Sequence, residues 1–108
     1  MRNQVEHTFS ALSDPTRRHI VELLANRDAM RVSELATEFK TTRQAVTKHL
    51  DILCNAGLVS TERQGRERLS SISQDAFEPV RDWLTHYDRF WTSKLEDLKE
   101  LIEQGEKS

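Results

Sequence analysis

Apolar residues recur by threes and fours over most of this chain, and one short interval is instead crowded with β-branched and hydroxyl residues. Val5, Phe9 and Leu12 form the first helical series, which Ser13-Asp14-Pro15 stops before a second begins. Asp14 suits an N-cap, because its carboxylate can accept an orphan backbone N–H. Pro15 suits the first helical position, where its missing N–H costs nothing. A second helix is predicted from Pro15 to about Asn26, burying Ile20, Val21, Leu23 and Leu24. Ser33 is placed to cap a short third helix, Glu34 to about Phe39, with Leu35, Ala36 and Phe39 on one side. Thr41 with Gln44 then matches the S/T-x-x-Q capping box, so a fourth helix starts there or one residue later. Its buried stripe is Val46, Leu50 and Leu53, and Gly57 supplies a left-handed cap at its end.

Leu58 to Gln64 and Arg68 to Ser73, flanking Gly65-Arg66-Glu67, read as a hairpin and give the only β signal. From about Pro79 to Glu103 the pattern is helical again, through Val80, Leu84, Tyr87, Trp91, Leu95, Leu98 and Ile102, with Trp83, Phe90 and Leu101 widening the stripe. One helix of roughly 25 residues would be about 37 Å long, against about 26 Å across a compact domain of this size, so part of its apolar face must overhang. A second copy is the economical cover for an exposed stripe with two tryptophans. A two-fold dimer is therefore expected, with Phe9, Val80, Trp83, Leu84, Tyr87, Trp91, Leu95 and Leu98 in its interface.

With 108 residues, 31% charged and 36% hydrophobic, 3 Gly and 2 Pro, the composition excludes disordered, collagen-like and membrane-spanning classes and suits one soluble, mainly helical domain. No repeat, low-complexity tract or linker divides it. The residues through Glu6 lack the layout of a secretory signal, so a cytoplasmic location is expected. Cys54 is the single cysteine, which removes any disulfide framework and any cysteine-rich metal site within the chain. The net charge of -2 is unevenly spread. Lys40 to Ile72 holds six Lys/Arg against three Asp/Glu, whereas Ser73 onward holds five against nine. The middle third is thus a local basic footprint of the kind a polyanion would meet.

Two short helices joined by a tight turn and followed by a hairpin make a winged helix-turn-helix, mainly α with a small β-hairpin, whose second helix fits the major groove of DNA. Arg43, Gln44, Thr47 and Lys48 lie on the first turns of that helix, off the Val46, Leu50, Leu53 stripe. Arginine can grip guanine O6 and N7, glutamine adenine N6 and N7, and a threonine methyl can touch thymine. Thr41, Thr42 and the helix N-terminus suit a phosphate. In the wing, Arg63, Gln64, Arg66 and Arg68 surround a turn that could lie against the backbone or the adjacent minor groove. His49 is open between a half-buried, hydrogen-bonded role and a DNA contact. Arg17 and Arg18 are expected to form salt bridges or to solvate the surface, with one of them able to reach a phosphate. The expected organisation is a single domain over residues 1–108, with the helix-turn-helix about 33–57, the wing about 58–73 and the dimerisation helix about 79–103.

The segments "ALSDPTRRHIVELL" (Ala11 to Leu24), "VSELATEF" (Val32 to Phe39), "TTRQAVTKHLDIL" (Thr41 to Leu53) and "AGLVSTERQGRERLSSI" (Ala56 to Ile72) resemble the ArsR/SmtB-type transcriptional repressors. The tail "WLTHYDRFWTSKLEDLKELI" resembles the subgroup without recognised metal sites that includes SdpR-like autorepressors. The resemblance implies a homodimeric repressor on an imperfect inverted repeat, often of its own gene. It puts base-reading positions at Arg43, Gln44, Thr47, Lys48 and His49, and wing contacts at Arg66 and Arg68. The Cys-x-Cys pair of metal-sensing members is absent from Ser33 to Phe39. Asp82 and His86, one turn apart, are too few ligands for zinc. No metal or other cofactor is therefore expected.

Double-stranded DNA is the expected partner, and neither a membrane nor an identified small-molecule effector is. An effector-responsive sensor remains the alternative, through a metal, through Cys54 redox chemistry, or through a small molecule in a pocket lined by Trp83, Tyr87, Phe90 and Trp91. A winged-helix module for protein contacts is a second alternative. No nucleophile, acid/base constellation or Gly-rich phosphate loop supports an enzyme.

Overall fold

A computed structural model describes residues 2–107. Its elements are α1 (Arg2–Ala11), α2 (Pro15–Arg27), β1 (Ala29–Arg31), α3 (Val32–Glu38), α4 (Arg43–Asn55), β2 (Val59–Gln64), β3 (Glu67–Ile72), α5 (Glu78–Thr85) and α6 (Asp88–Lys107). The mainly helical winged architecture is the expected one, and several local details differ.

Helix α2 starts as its sequence predicts, with the Arg17 N–H donating to Asp14 Oδ2 at 3.1 Å and Pro15 in the first turn. That hydrogen bond, more than any charge nearby, holds the Asp14 carboxyl below its ordinary value. Neither Arg17 nor Arg18 forms an ion pair among the described residues. Their guanidiniums turn back onto the end of α1, where Arg17 Nε donates to the Ala11 carbonyl at 2.5 Å and Arg18 Nη1 to that of Leu12 at 2.8 Å. The last carbonyls of a helix have no intrahelical donor and carry its negative pole, so cations two residues beyond a sharp turn are well placed to serve them.

Ser33 does not cap α3, which begins two residues earlier than expected, at Val32. Arg31 is the N-cap residue, and its backbone N–H donates to Glu34 Oε1 at 3.0 Å. For α4 the later of the two possible starts is found, since Thr42 Oγ1 accepts from the Ala45 N–H at 3.1 Å. The end of α4 is a Schellman turn: Gly57 at φ +78° donates to the Cys54 carbonyl, and Leu58 donates to that of Leu53, both at 3.0 Å. The same pair of bonds closes α3 around Lys40, which occupies the left-handed region at φ 52°.

The hairpin turns through Gly65-Arg66, with Gln64 registered opposite Glu67. Gly65 takes φ +64° and Arg66 stays outside the positive-φ region, the order a type II′ turn requires. A third strand, β1, was not foreseen. It adds to the free edge of β3, pairing Met30 with Ser70, so the sheet order is β1-β3-β2. Ile20, Leu24, Met30, Val46, Leu35, Leu50, Leu53 and Leu58 are fully buried between this sheet and α2 to α4. Leu23 only packs against the edge of that core.

The predicted single C-terminal helix is two, because the backbone tightens at His86-Tyr87. There the His86 and Tyr87 N–H groups donate three residues back, to Trp83 and Leu84. Helix α5 docks on α1 through an edge-to-face pair, Phe9 with Trp83, at 5.4 Å between centroids. Every described side chain of α6 is exposed. The radius of gyration, 18.9 Å, and extents of 65 × 32 × 20 Å far exceed the value of about 13 Å for a compact chain of this length, so α6 projects from the body.

Candidate nucleic-acid interface

Helix α4 is held by one side only. Val46, Leu50 and Leu53 sit in the core, so Arg43, Gln44 and Lys48 point outward from its first two turns, and Thr47 is half-buried beside them. Thr41 and Thr42 are exposed at the N-terminus, where the helix presents unsatisfied N–H groups and its positive pole. The turn that brings α3 to α4 is the Schellman turn at Lys40, and it is what aims this end away from the body.

The wing lies alongside. Arg63 and Arg66 are exposed, and neither forms an ion pair among the described residues. Arg63 is registered directly opposite Arg68, a like-charge juxtaposition that would weaken a hairpin unless an anion lay near. Part of that anion is supplied internally: Arg68 donates to Asp51 Oδ1 on α4 at 3.0 Å, and its Nη2 lies 3.6 Å from Cys54 Sγ. Arg68 is accordingly turned toward the fold and is 27% exposed. Gln64 is exposed at the wing tip.

His49 is half-buried, with Nδ1 3.5 Å from the Arg17 guanidinium, so it joins α4 to the first turn of α2, whose Arg17 in turn reaches the end of α1. Sequence reasoning missed this link and the Asp51–Arg68 and Arg43–Glu67 pairs, the last at 3.5 Å. Nothing short-range marks partners 17 to 32 residues apart.

Of the aromatic residues considered for a pocket, Trp83 and Tyr87 line a groove of about 750 Å³ between α1 and α5, whereas Phe90 and Trp91 lie beyond it. Asp82 and His86 are also on that groove, but no group of three or more potential metal ligands occurs among the described residues. Nor is any described helix long and apolar enough to cross a membrane.

The comparisons with known proteins carry this geometry further. The sequence is 37% identical over 98 residues to the HTH-type transcriptional regulator Rv2034 of Mycobacterium tuberculosis, covering 91% of this chain and 88% of that protein. The family model described as "Bacterial regulatory protein, arsR family" matches residues 14–61, which run from the α2 cap into β2. This chain belongs to the ArsR family. As an ArsR-family protein it is a DNA-binding transcriptional regulator. The transcriptional repressor SdpR of Bacillus subtilis is 30% identical over 83 residues, 77% of this chain and 91% of SdpR. A solved ArsR family transcriptional regulator, RHA00566, superposes with a TM-score of 0.75 at 34% identity, over 86% of this chain and 95% of that one.

Proposed function

We propose that this ArsR-family chain is a cytoplasmic, non-enzymatic repressor that binds an inverted repeat in double-stranded DNA as a homodimer and needs no cofactor. The observation that carries the reading is the one-sided burial of α4, which leaves Arg43, Gln44, Thr47 and Lys48 as an outward arc on a helix of major-groove size. Arg43 and Gln44 read base edges, Thr47 offers its methyl to thymine, and Lys48, Thr41 and Thr42 meet phosphates. Arg63 and Arg66 follow the backbone beside the wing. Arg68 and His49 serve chiefly inside the protein, bracing the wing and the start of α2.

Dimerisation places two such arcs side by side, about one helical turn or 34 Å apart. The support for it is the apolar stripe of α5 and α6, where Trp83, Leu84, Tyr87, Phe90, Trp91, Leu95 and Leu98 are all exposed in the single chain. Phe9 and Val80 border the same face. The acidic surplus of α6 is then kept away from the DNA by the projection of that helix.

The test is binding to a duplex selected from a random pool, measured against salt. Neutralising about six to ten phosphates makes affinity fall steeply, by about 10³ to 10⁵ between 50 and 200 mM salt. Arg43→Ala is expected to relax preference at one base pair per half-site, and Arg66→Ala to weaken all duplexes alike. If both variants bind every duplex as the parent does, this surface is not the interface.

A further inference from the structure

Two ion pairs of opposite polarity join α4 to β3. Helix α4 contributes the cation of one, Arg43 with Glu67, and the acid of the other, Asp51 with Arg68, about two turns further on. Exposed pairs of this kind add little to folding. The Asp51–Arg68 pair has a clear local use, since it relieves the Arg63–Arg68 juxtaposition and fixes the wing against α4. Glu67 answers no such need, because its registered neighbour is the uncharged Gln64. A carboxylate beside a surface that must approach phosphates is unfavourable for binding on Coulomb grounds alone.

We infer that Glu67 is a positioning residue for base reading, which holds the Arg43 guanidinium so that its free donors meet a guanine edge rather than the nearest phosphate. This rests on the reading of α4 as the DNA-contacting helix. Arg43 is 66% exposed and on the first turn, so without a tether its long side chain would sample every anion within reach. Paired with Glu67, the guanidinium presents little net charge to a phosphate, and its pull on the backbone falls. Its directional donors are largely intact. Glu67 Oε1 engages Nη2 alone, one of three nitrogens carrying five N–H groups, and a two-pronged grip on guanine O6 and N7 needs only two of these. Holding the rotamer in advance also removes part of the ordering cost at the moment of binding. The carboxylate therefore gives up total affinity and gains discrimination.

The experiment compares Glu67→Gln, Glu62→Gln, Arg43→Ala and the Arg43→Ala/Glu67→Gln double variant of the full chain. Each is titrated against the selected duplex and against duplexes changed at the one base pair whose preference Arg43→Ala relaxes. Glu62 is exposed on β2, forms no ion pair among the described residues, and so controls for removing a wing charge. Both glutamine variants are expected to bind all duplexes more tightly. Only Glu67→Gln is expected to narrow the ratio between right and wrong base pair, by about two- to fivefold, the range of an exposed ion pair's coupling. Adding Glu67→Gln to Arg43→Ala should not change that ratio further. An unchanged ratio in Glu67→Gln, or an equal narrowing in Glu62→Gln, overturns the inference while leaving the function standing. If Arg43→Ala relaxes no base pair at all, the assignment of α4 and this inference fall together.

Discussion

Leu95→Glu should dissociate the dimer without disturbing the winged body. Leu95 is 64% exposed in the isolated chain, on a helix none of whose described side chains is buried. Burying a leucine fully contributes about 1.5–3 kcal/mol, so covering the remaining two-thirds at a partner surface contributes about 1–2 kcal/mol. Two-fold symmetry counts the site twice, giving about 2–4 kcal/mol per dimer before any cost of desolvating the two new carboxylates. The dissociation constant is then expected to rise by at least about 30-fold and up to about 700-fold. Sedimentation velocity from nanomolar to tens of micromolar reads this directly, and gel shifts with one and two half-sites report its effect on DNA. The fold of α2 to β3 should survive, since Leu50 and its neighbours are untouched. The helical signal from α6 should fall on dissociation, because an isolated helix of this length is marginal in water. A parent protein that is monomeric at micromolar concentration would refute the dimer. A Leu95→Glu variant with the parent's dissociation constant would refute the role of α6 in it.

Three further substitutions test the fold that aims the site. Lys40→Gly removes a side chain from a left-handed position and should stabilise the protein by about 0.5–1 kcal/mol in urea unfolding, a loss of stability being the contrary result. Ser70 Oγ is buried with no hydrogen-bond partner among the described residues, so Ser70→Ala should be neutral or stabilising by up to about 1 kcal/mol in the same assay. Asp14 has its carboxyl held below its ordinary value near 3.8, so the stabilisation it gives α2 is complete above that pH and lost as pH falls through the lower folded value. Melting temperatures of the parent and Asp14→Ala should accordingly differ at pH 7 and converge as the pH falls through that lowered carboxyl value, and a constant gap would contradict the cap.

Much of this architecture is written within a few residues of where it occurs. The Asp14-Pro15 start of α2, the Val46, Leu50, Leu53 stripe, the Gly57 stop and the Gly65 turn each depend on neighbours inside one helical turn or one hairpin, and all are found. The outward face of α4 follows from the same stripe, because burying one side of a helix exposes the other. What the tertiary structure alone decided is how these pieces brace one another. Ala29–Arg31 is too short and too weak in β propensity to be a strand by itself, and becomes one because β3 offers it an edge. Nothing local distinguishes Arg68 from Arg66 as a wing cation, yet Asp51, 17 residues away in sequence, turns the first inward while the second stays in solvent. The interruption at His86-Tyr87 contains neither glycine nor proline, and no short-range signal marks it. Helical periodicity records which side of a segment avoids water, whereas the partner that covers or clasps it is chosen only when distant segments meet.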